Sequence, residues 1–259
     1  MKALFRICCL AICATTFTSI PSFAQNPEKL ANDAFDNNMF SNENARFNVL
    51  LEISKKGKVI RKREITALVK RKDGLIRSFV EFQKPADVSG TRFLSAEMSP
   101  GESQQFIYLP AFKKTKRIVG TQKGKSFMGT DFSYSDLEGR DASQTTWKKL
   151  EDAKIQGEDC FVIEGRPKKL ADEEYGKTVM WIHKKNKIPL RSDFYDRKTE
   201  SVLKRLTVTK LAKKDGQWII MDSVMETLLK KTQTRMRVLS ADLKTIVPDD
   251  ALTREALER

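Results

Sequence analysis

Few side chains in this sequence are equipped for covalent chemistry. There is one histidine, His183, and three of the four cysteines, Cys8, Cys9 and Cys13, lie in the first 24 residues. A multi-histidine or cysteine-rich metal centre therefore has no ligand set. The remaining thiol, Cys160, opens the apolar run Cys160-Phe161-Val162-Ile163, which reads as a buried strand in which it acts as a small hydrophobe. One serine sits in Gly124-Lys125-Ser126-Phe127-Met128-Gly129. That phrase is one residue too long for the G-x-S-x-G nucleophile elbow, and the chain lacks the α/β alternation on which the elbow is built. A hydrolytic triad would have to be assembled from Ser126, His183 and Asp193, so a lipid hydrolase stands as an alternative. His183, at a strand end before a lysine turn, has the position of a surface or half-buried residue. No catalytic residue, metal ligand or cofactor is assigned.

Binding chemistry is better represented. Between Tyr108 and Leu137 the chain concentrates Tyr108, Leu109, Phe112, Phe127, Met128, Phe132 and Tyr134 around Gly129. These offer adaptable apolar surface suited to an acyl chain, and the glycine permits a tight turn or a close approach of backbone to cargo. The competing reading is that they plug one end of the fold. Asp131 and Asp136 are placed to fix the turn by accepting from nearby amides. Lys113, Lys114, Lys116 and Arg117 form the densest basic run, and Lys55, Lys56, Lys58, Arg61, Lys62 and Arg63 form another. Either suits an anionic membrane surface.

The first residues point to secretion. Lys2 and Arg6 precede an apolar segment from Ile7 to Phe17, and Ser22-Phe23-Ala24 is a small-x-small cleavage site, so residues 1–24 read as a signal peptide and 25–259 as one domain. Lipidation is disfavoured because Ile12 stands before Cys13, where a small residue is needed. With Lys2 and Arg6 removed from 48 basic residues, against 34 acidic ones, the mature chain carries +12. A nucleic-acid role fits neither the leader nor any motif.

The elements that must position these residues are mostly strands. Asn26-Pro27 reads as a helix cap with proline at the first helical position, and Leu30, Ala31, Ala34 and Phe35 follow at helical spacing as far as Asn37-Asn38. From Ala45 the period is two. Strands are expected from Ala45 to Ile53, through Ile65, Ala67 and Val69, at Ile76 to Phe82, and at Cys160 to Gly165. Further strands are expected at Thr178 to His183, Leu190 to Tyr195, Val202 to Leu211, Trp218 to Leu229 and Thr232 to Leu239. Short polar turns between them imply an antiparallel meander. A last short helix after Pro248 carries Leu252 and Leu257. The sum is a mainly β chain, a large antiparallel barrel-like sheet of roughly ten strands, incompletely closed, with few helices to cover it. Two interiors fit this pattern, one filled by side chains and one open to a ligand. A filled interior would favour a sensor or adhesin-type binding module.

Pro85-Ala86-Asp87-Val88-Ser89-Gly90-Thr91, Phe106-Ile107-Tyr108-Leu109-Pro110 and the phrase Phe127 to Leu137 resemble the outer-membrane lipoprotein-sorting protein family, the LolA-like superfamily. The resemblance is strongest from about Lys84 to Leu137, with Thr130 where serine is common and Ser135 where an acidic residue is common. It implies an unclosed antiparallel barrel with helices over its mouth, and a periplasmic carrier that holds acyl chains in an apolar cavity. The implied partners are lipid or acylated lipoprotein cargo and an inner-membrane transporter, beside the anionic membrane surface that the basic runs suit.

Overall fold

The computed structural model describes residues 25–37, 43–170 and 173–259. The expected signal peptide and Asn38 lie outside them. Helix α1 (Pro27–Asp36) is followed by β1 (Asn44–Lys55), β2 (Lys58–Lys72), β3 (Leu75–Lys84), β4 (Arg92–Ser99), β5 (Glu102–Leu109) and β6 (Lys114–Ile118). Then come β7 (Thr145–Lys149), β8 (Ala153–Ile155), β9 (Glu158–Pro167), β10 (Lys177–His183), β11 (Pro189–Tyr195), β12 (Val202–Lys214), β13 (Gln217–Thr227) and β14 (Thr232–Asp242). Fourteen strands replace the expected ten or so. The additions, β4 to β8, lie largely in the segment from Arg92 to Ile155, where strands such as Thr145–Lys149 are short or lysine-rich and alternate poorly.

All fourteen strands form one antiparallel sheet in the order β6-β5-β4-β3-β2-β1-β14-β13-β12-β11-β10-β9-β7, with β8 beside β9. The chain runs outward from β1 to one free edge, β6, restarts at the other free edge, β7, and returns until β14 pairs with β1. The barrel is unclosed, and its seam lies between β6 and β7. The local chemistry supports the turns. Lys56 and Gly57 both adopt positive φ, +49° and +78°, the conformation a two-residue hairpin with right-handed strand twist requires.

Alternate side chains of the central strands point inward. Phe47, Val49, Leu51, Ile65, Ala67, Val69, Phe82 and Phe93 form the main core. The outer face of β3 to β5 is apolar too, and the C-terminal residues cover it: Val247, Leu252 and Leu257 pack on Phe79 and Leu94. The expected last helix is two short 3-10 turns, Asp249–Leu252 and Glu255–Glu258. Lys70 and Lys72 pin this tail by holding the Asp249 carboxyl down at about 2.

Helix α1 starts as its sequence requires, with the Asn26 side chain accepting from Glu28 N–H at 2.9 Å and Pro27 in the first turn. Leu30, Ala31 and Ala34 bury against Ile163, Met180 and Ile182, so the helix covers the inner face at the β7 end. Phe35 meets Trp147 edge to face, with ring centroids 6.0 Å apart. Trp147 in turn lies over Gly165, where an added Cβ would meet its ring at 2.4 Å. Gly165→Ala is therefore expected to displace Trp147, loosen α1 and cost about 1–3 kcal/mol as overpacking does, read as a lowered urea midpoint and faster proteolysis near residue 37.

Candidate functional site

The chain between the two free edges, residues 119–144, crosses the inner face of the sheet. Phe127 N–H donates to the Phe132 carbonyl at 2.7 Å, and Ser126 pairs with Ser133, so the signature phrase is a tight loop. At its tip Gly129 has φ +74°, and a Cβ there would lie 3.2 Å from the Arg61 guanidinium. On one side Phe127 stacks against Phe82, Phe93 and Tyr134, with ring centroids 5.1–5.7 Å apart. The buried Gln105 side chain of β5 donates to the Tyr134 carbonyl at 2.8 Å.

On the other side Asp131 is tied to the opposite half of the sheet. Its carboxylate accepts from the hydroxyls of Thr227 at 2.6 Å, Thr234 at 2.8 Å and Thr232, and its N–H donates to Thr234 Oγ1 at 2.9 Å. The expected amide bonds exist only at Asp136, which accepts from Ser133 N–H at 2.8 Å. Asp136 also accepts from Tyr175 Oη at 2.9 Å and pairs with Lys204 at 3.2 Å. Burial, with the nearby Asp136 and Glu174 carboxylates, pushes the Tyr175 phenol well above its ordinary value.

Between this loop, α1 and the inner faces of β3, β4 and β10 to β14 lies a cavity of about 320 Å³. Phe132, Phe194, Leu206, Ile220, Met225 and Met236 supply its apolar lining. Buried serines interrupt it, Ser78 and Ser95 opposite each other on β3 and β4, Ser192 on β11 and Ser223 on β13. Ser223 Oγ has no hydrogen-bond partner. Glu97, 7% exposed, reaches the same cavity and accepts from Ile76 N–H at 2.7 Å. Burial pushes its carboxyl above the ordinary glutamate value against that bond and the attraction of Arg71.

The residues singled out in the sequence have different fates. Phe132 lines the cavity, whereas Phe127 is buried in the core beside it. Leu109, Met128 and Tyr134 border a second recess with Lys114, Lys116 and Arg117. Tyr108 faces outward toward the C-terminal tail, with Arg92 6.0 Å over its ring, and Phe112 is 72% exposed. Lys113, Lys114, Lys116 and Arg117 are exposed beside or on edge strand β6, where charge also discourages edge pairing. Sequence reasoning missed Ser78, Ser95, Glu97, Ser192 and Ser223. Their only signal was a polar residue at an inward-facing parity.

The would-be hydrolytic residues are each engaged elsewhere. Ser126 Oγ donates to the Thr130 carbonyl at 2.5 Å, and His183 pairs with Glu158 at 3.2 Å. Burial raises the Asp193 pKa, but bonds from Arg191 and Arg205 outweigh it and hold the carboxyl below its ordinary value. Cys160 is buried and its thiol is shifted up by burial. Among the described residues no group of three or more His, Cys, Asp or Glu side chains is placed to hold a metal ion.

An unclosed antiparallel sheet wrapped around an apolar cavity defines a LolA-like fold. Residues 74–259 match a family model described as "Uncharacterized protein", and the chain belongs to that family. It is similar to a DUF1329 family protein from Desulfovibrio piger, with 27% identity over 89% of this chain and 97% of that one and a TM-score of 0.82. It is equally similar to an outer membrane lipoprotein-sorting protein domain from Vibrio parahaemolyticus, with 26% identity over 90% and 98% of the two chains and a TM-score of 0.82. A LolA superfamily protein from Nitrosomonas europaea shares the fold at 17% identity, covering 90% of this chain and 100% of that one, with a TM-score of 0.70. No curated protein matches the chain significantly.

Two measurements check this geometry. Asp131→Ala leaves three threonine hydroxyls short of their acceptor and is expected to cost about 3 kcal/mol, whereas Asp131→Asn, which keeps one oxygen, costs less; urea unfolding reads both. For Glu97 the folded state favours the protonated acid, so its destabilisation grows as pH rises above the ordinary value of about 4.3 toward the raised one. Glu97→Gln is then more stable than the parent at neutral pH, and the difference vanishes in acid.

Proposed function

We propose that this protein is a periplasmic carrier that shelters an acyl chain in its cavity and moves acylated cargo, a lipid or lipoprotein, between membranes. The observation that carries this reading is the apolar cavity of about 320 Å³ left between the sheet, α1 and the crossing loop. An interior wall of this chemistry favours a hydrocarbon chain over a polar solute. The volume lies at the lower end of ligand pockets, about 300–1,000 Å³, which suits a single chain or a compact amphiphile. Similarity to a lipoprotein-sorting protein domain supports the same class of cargo. The leader-like first 24 residues support export, and the excess of basic residues supports work near anionic membranes and beside an inner-membrane transporter that hands over cargo.

The test separates the cavity wall from the core beside it. Ser192→Phe, which fills the cavity, and Phe132→Ala, which removes part of its wall, are each expected to weaken binding of a fluorescent fatty acid at least about tenfold. Phe127→Ala is expected instead to cost about 3–5 kcal/mol of stability and to retain binding in the folded fraction. Binding by Ser192→Phe equal to that of the parent overturns the carrier reading.

A further inference from the structure

Five of the exposed large apolar side chains, Val59, Ile60, Phe112, Leu228 and Leu229, lie at or beside three strand-connecting turns. Val59 and Ile60, 51% and 53% exposed, follow the β1–β2 turn, and Leu229, 77% exposed, tops the β13–β14 turn with Leu228. These two turns touch, because the Lys56 N–H donates to the Lys231 carbonyl at 2.9 Å. Lys55, Lys56, Lys58, Arg61 and Lys62 at and beside the first turn, and Lys230 and Lys231 on the second, are all exposed. No acidic residue occurs in 53–63 or 227–232. The patch continues across the crossing loop: Gly129 lies against Arg61, and its neighbour Met128 shares a recess with Lys114, Lys116 and Arg117. Beyond these stands the exposed Phe112, with Lys116 Nζ 5.9 Å from its ring centre.

Contiguous exposed apolar residues mark an interaction site rather than ordinary surface. The chemistry of this one narrows the partner. The apolar groups sit on or directly beside hairpin turns, which are suited to being received by another phase. Their flanks are long cationic side chains that keep an ammonium group near phosphates while an apolar tip enters the boundary of the acyl region. We propose that the adjoining β1–β2 and β13–β14 turns, extended by Phe112, form a docking face that inserts shallowly into a bilayer rich in anionic lipid. This deepens the carrier reading, on which it rests for its membrane setting.

The test is flotation of the processed, secreted protein with vesicles of phosphatidylglycerol and phosphatidylethanolamine, against phosphatidylcholine alone. Binding to the anionic vesicles is expected to exceed binding to phosphatidylcholine at least about fivefold, and to fall similarly at about 0.5 M salt, where screening shortens to a few ångströms. Leu229→Ser with Phe112→Ser, and separately Lys55→Glu with Lys230→Glu, should each lower the bound fraction at least about fivefold with unchanged thermal melting. Trp218→Ser, which alters a residue 48% exposed at the far end of β13, should leave it unchanged. The proposal is overturned if the parent floats no better with anionic vesicles, if both tip variants float like the parent, or if Trp218→Ser lowers binding as much as they do. Fatty-acid binding in vesicle-free solution is scored separately: its loss in the parent would sink the carrier reading alone, and the tip variants should leave it intact.

Discussion

A sheet with two unpaired edges and an apolar inner face has to be covered from within, and here the covering segment is the chain that joins those edges. Residues 119–144 leave β6, cross the inner face and enter β7. Asp131 makes that crossing specific. A carboxylate is costly to bury without partners, and this one finds three threonine hydroxyls, one at the end of β13 and two on β14. With Asp131 anchored there, Phe127 and Tyr134 reach Phe82 and Phe93 on the other half of the sheet. The loop thereby ties together two halves of a barrel that backbone hydrogen bonds leave open.

The crossing divides the interior into two environments. Around Phe127 the space is filled by packed rings, and no ligand is needed to complete it. Beyond Phe132 the inward side chains leave a cavity of about 320 Å³, with Ala34 and Phe35 of α1 in its wall. The serines and Glu97 there would be poor choices for a closed core, because a buried hydroxyl or carboxyl without full partners is destabilising. Their presence fits a wall that faces contents rather than other side chains. A plugged end and an open chamber thus coexist in one barrel, and the signature phrase belongs to both.

Charge follows the same division. Inside, Asp131 and Asp136 are matched by threonines, Tyr175 and Lys204. Outside, the positive charge collects where acidic residues are missing. Arg63 marks the border: it is buried, its Nη1 has no hydrogen-bond partner, and its guanidinium lies 5.6 Å from the centre of the Phe82 ring. Burial and the neighbouring Arg61 lower its pKa.

What the sequence determined by itself was local. Period-two alternation, positive-φ turn positions such as Gly57, and the Asn26-Pro27 cap act within a few residues, so the antiparallel class, the hairpins and α1 were legible. The run from Tyr108 to Tyr134 was legible as a concentration of apolar side chains, but not in where each of them goes. Parity says that a side chain alternates, not what faces it once a sheet of fourteen strands has curled. Only the tertiary structure sent Tyr108 to the C-terminal tail, left Phe112 in solvent, buried Phe127 and gave Phe132 to the cavity. Leu228 and Leu229, read as the end of a strand, prove to be a turn because β13 stops at Thr227 to pair with Thr232. The partners of Asp131 lie about a hundred residues away along the chain. The cavity wall is likewise drawn from both outward and returning strands. Contacts of such separation exist only after the sheet has curled and the crossing loop has packed on its inner face, which is why no window of the sequence contains them.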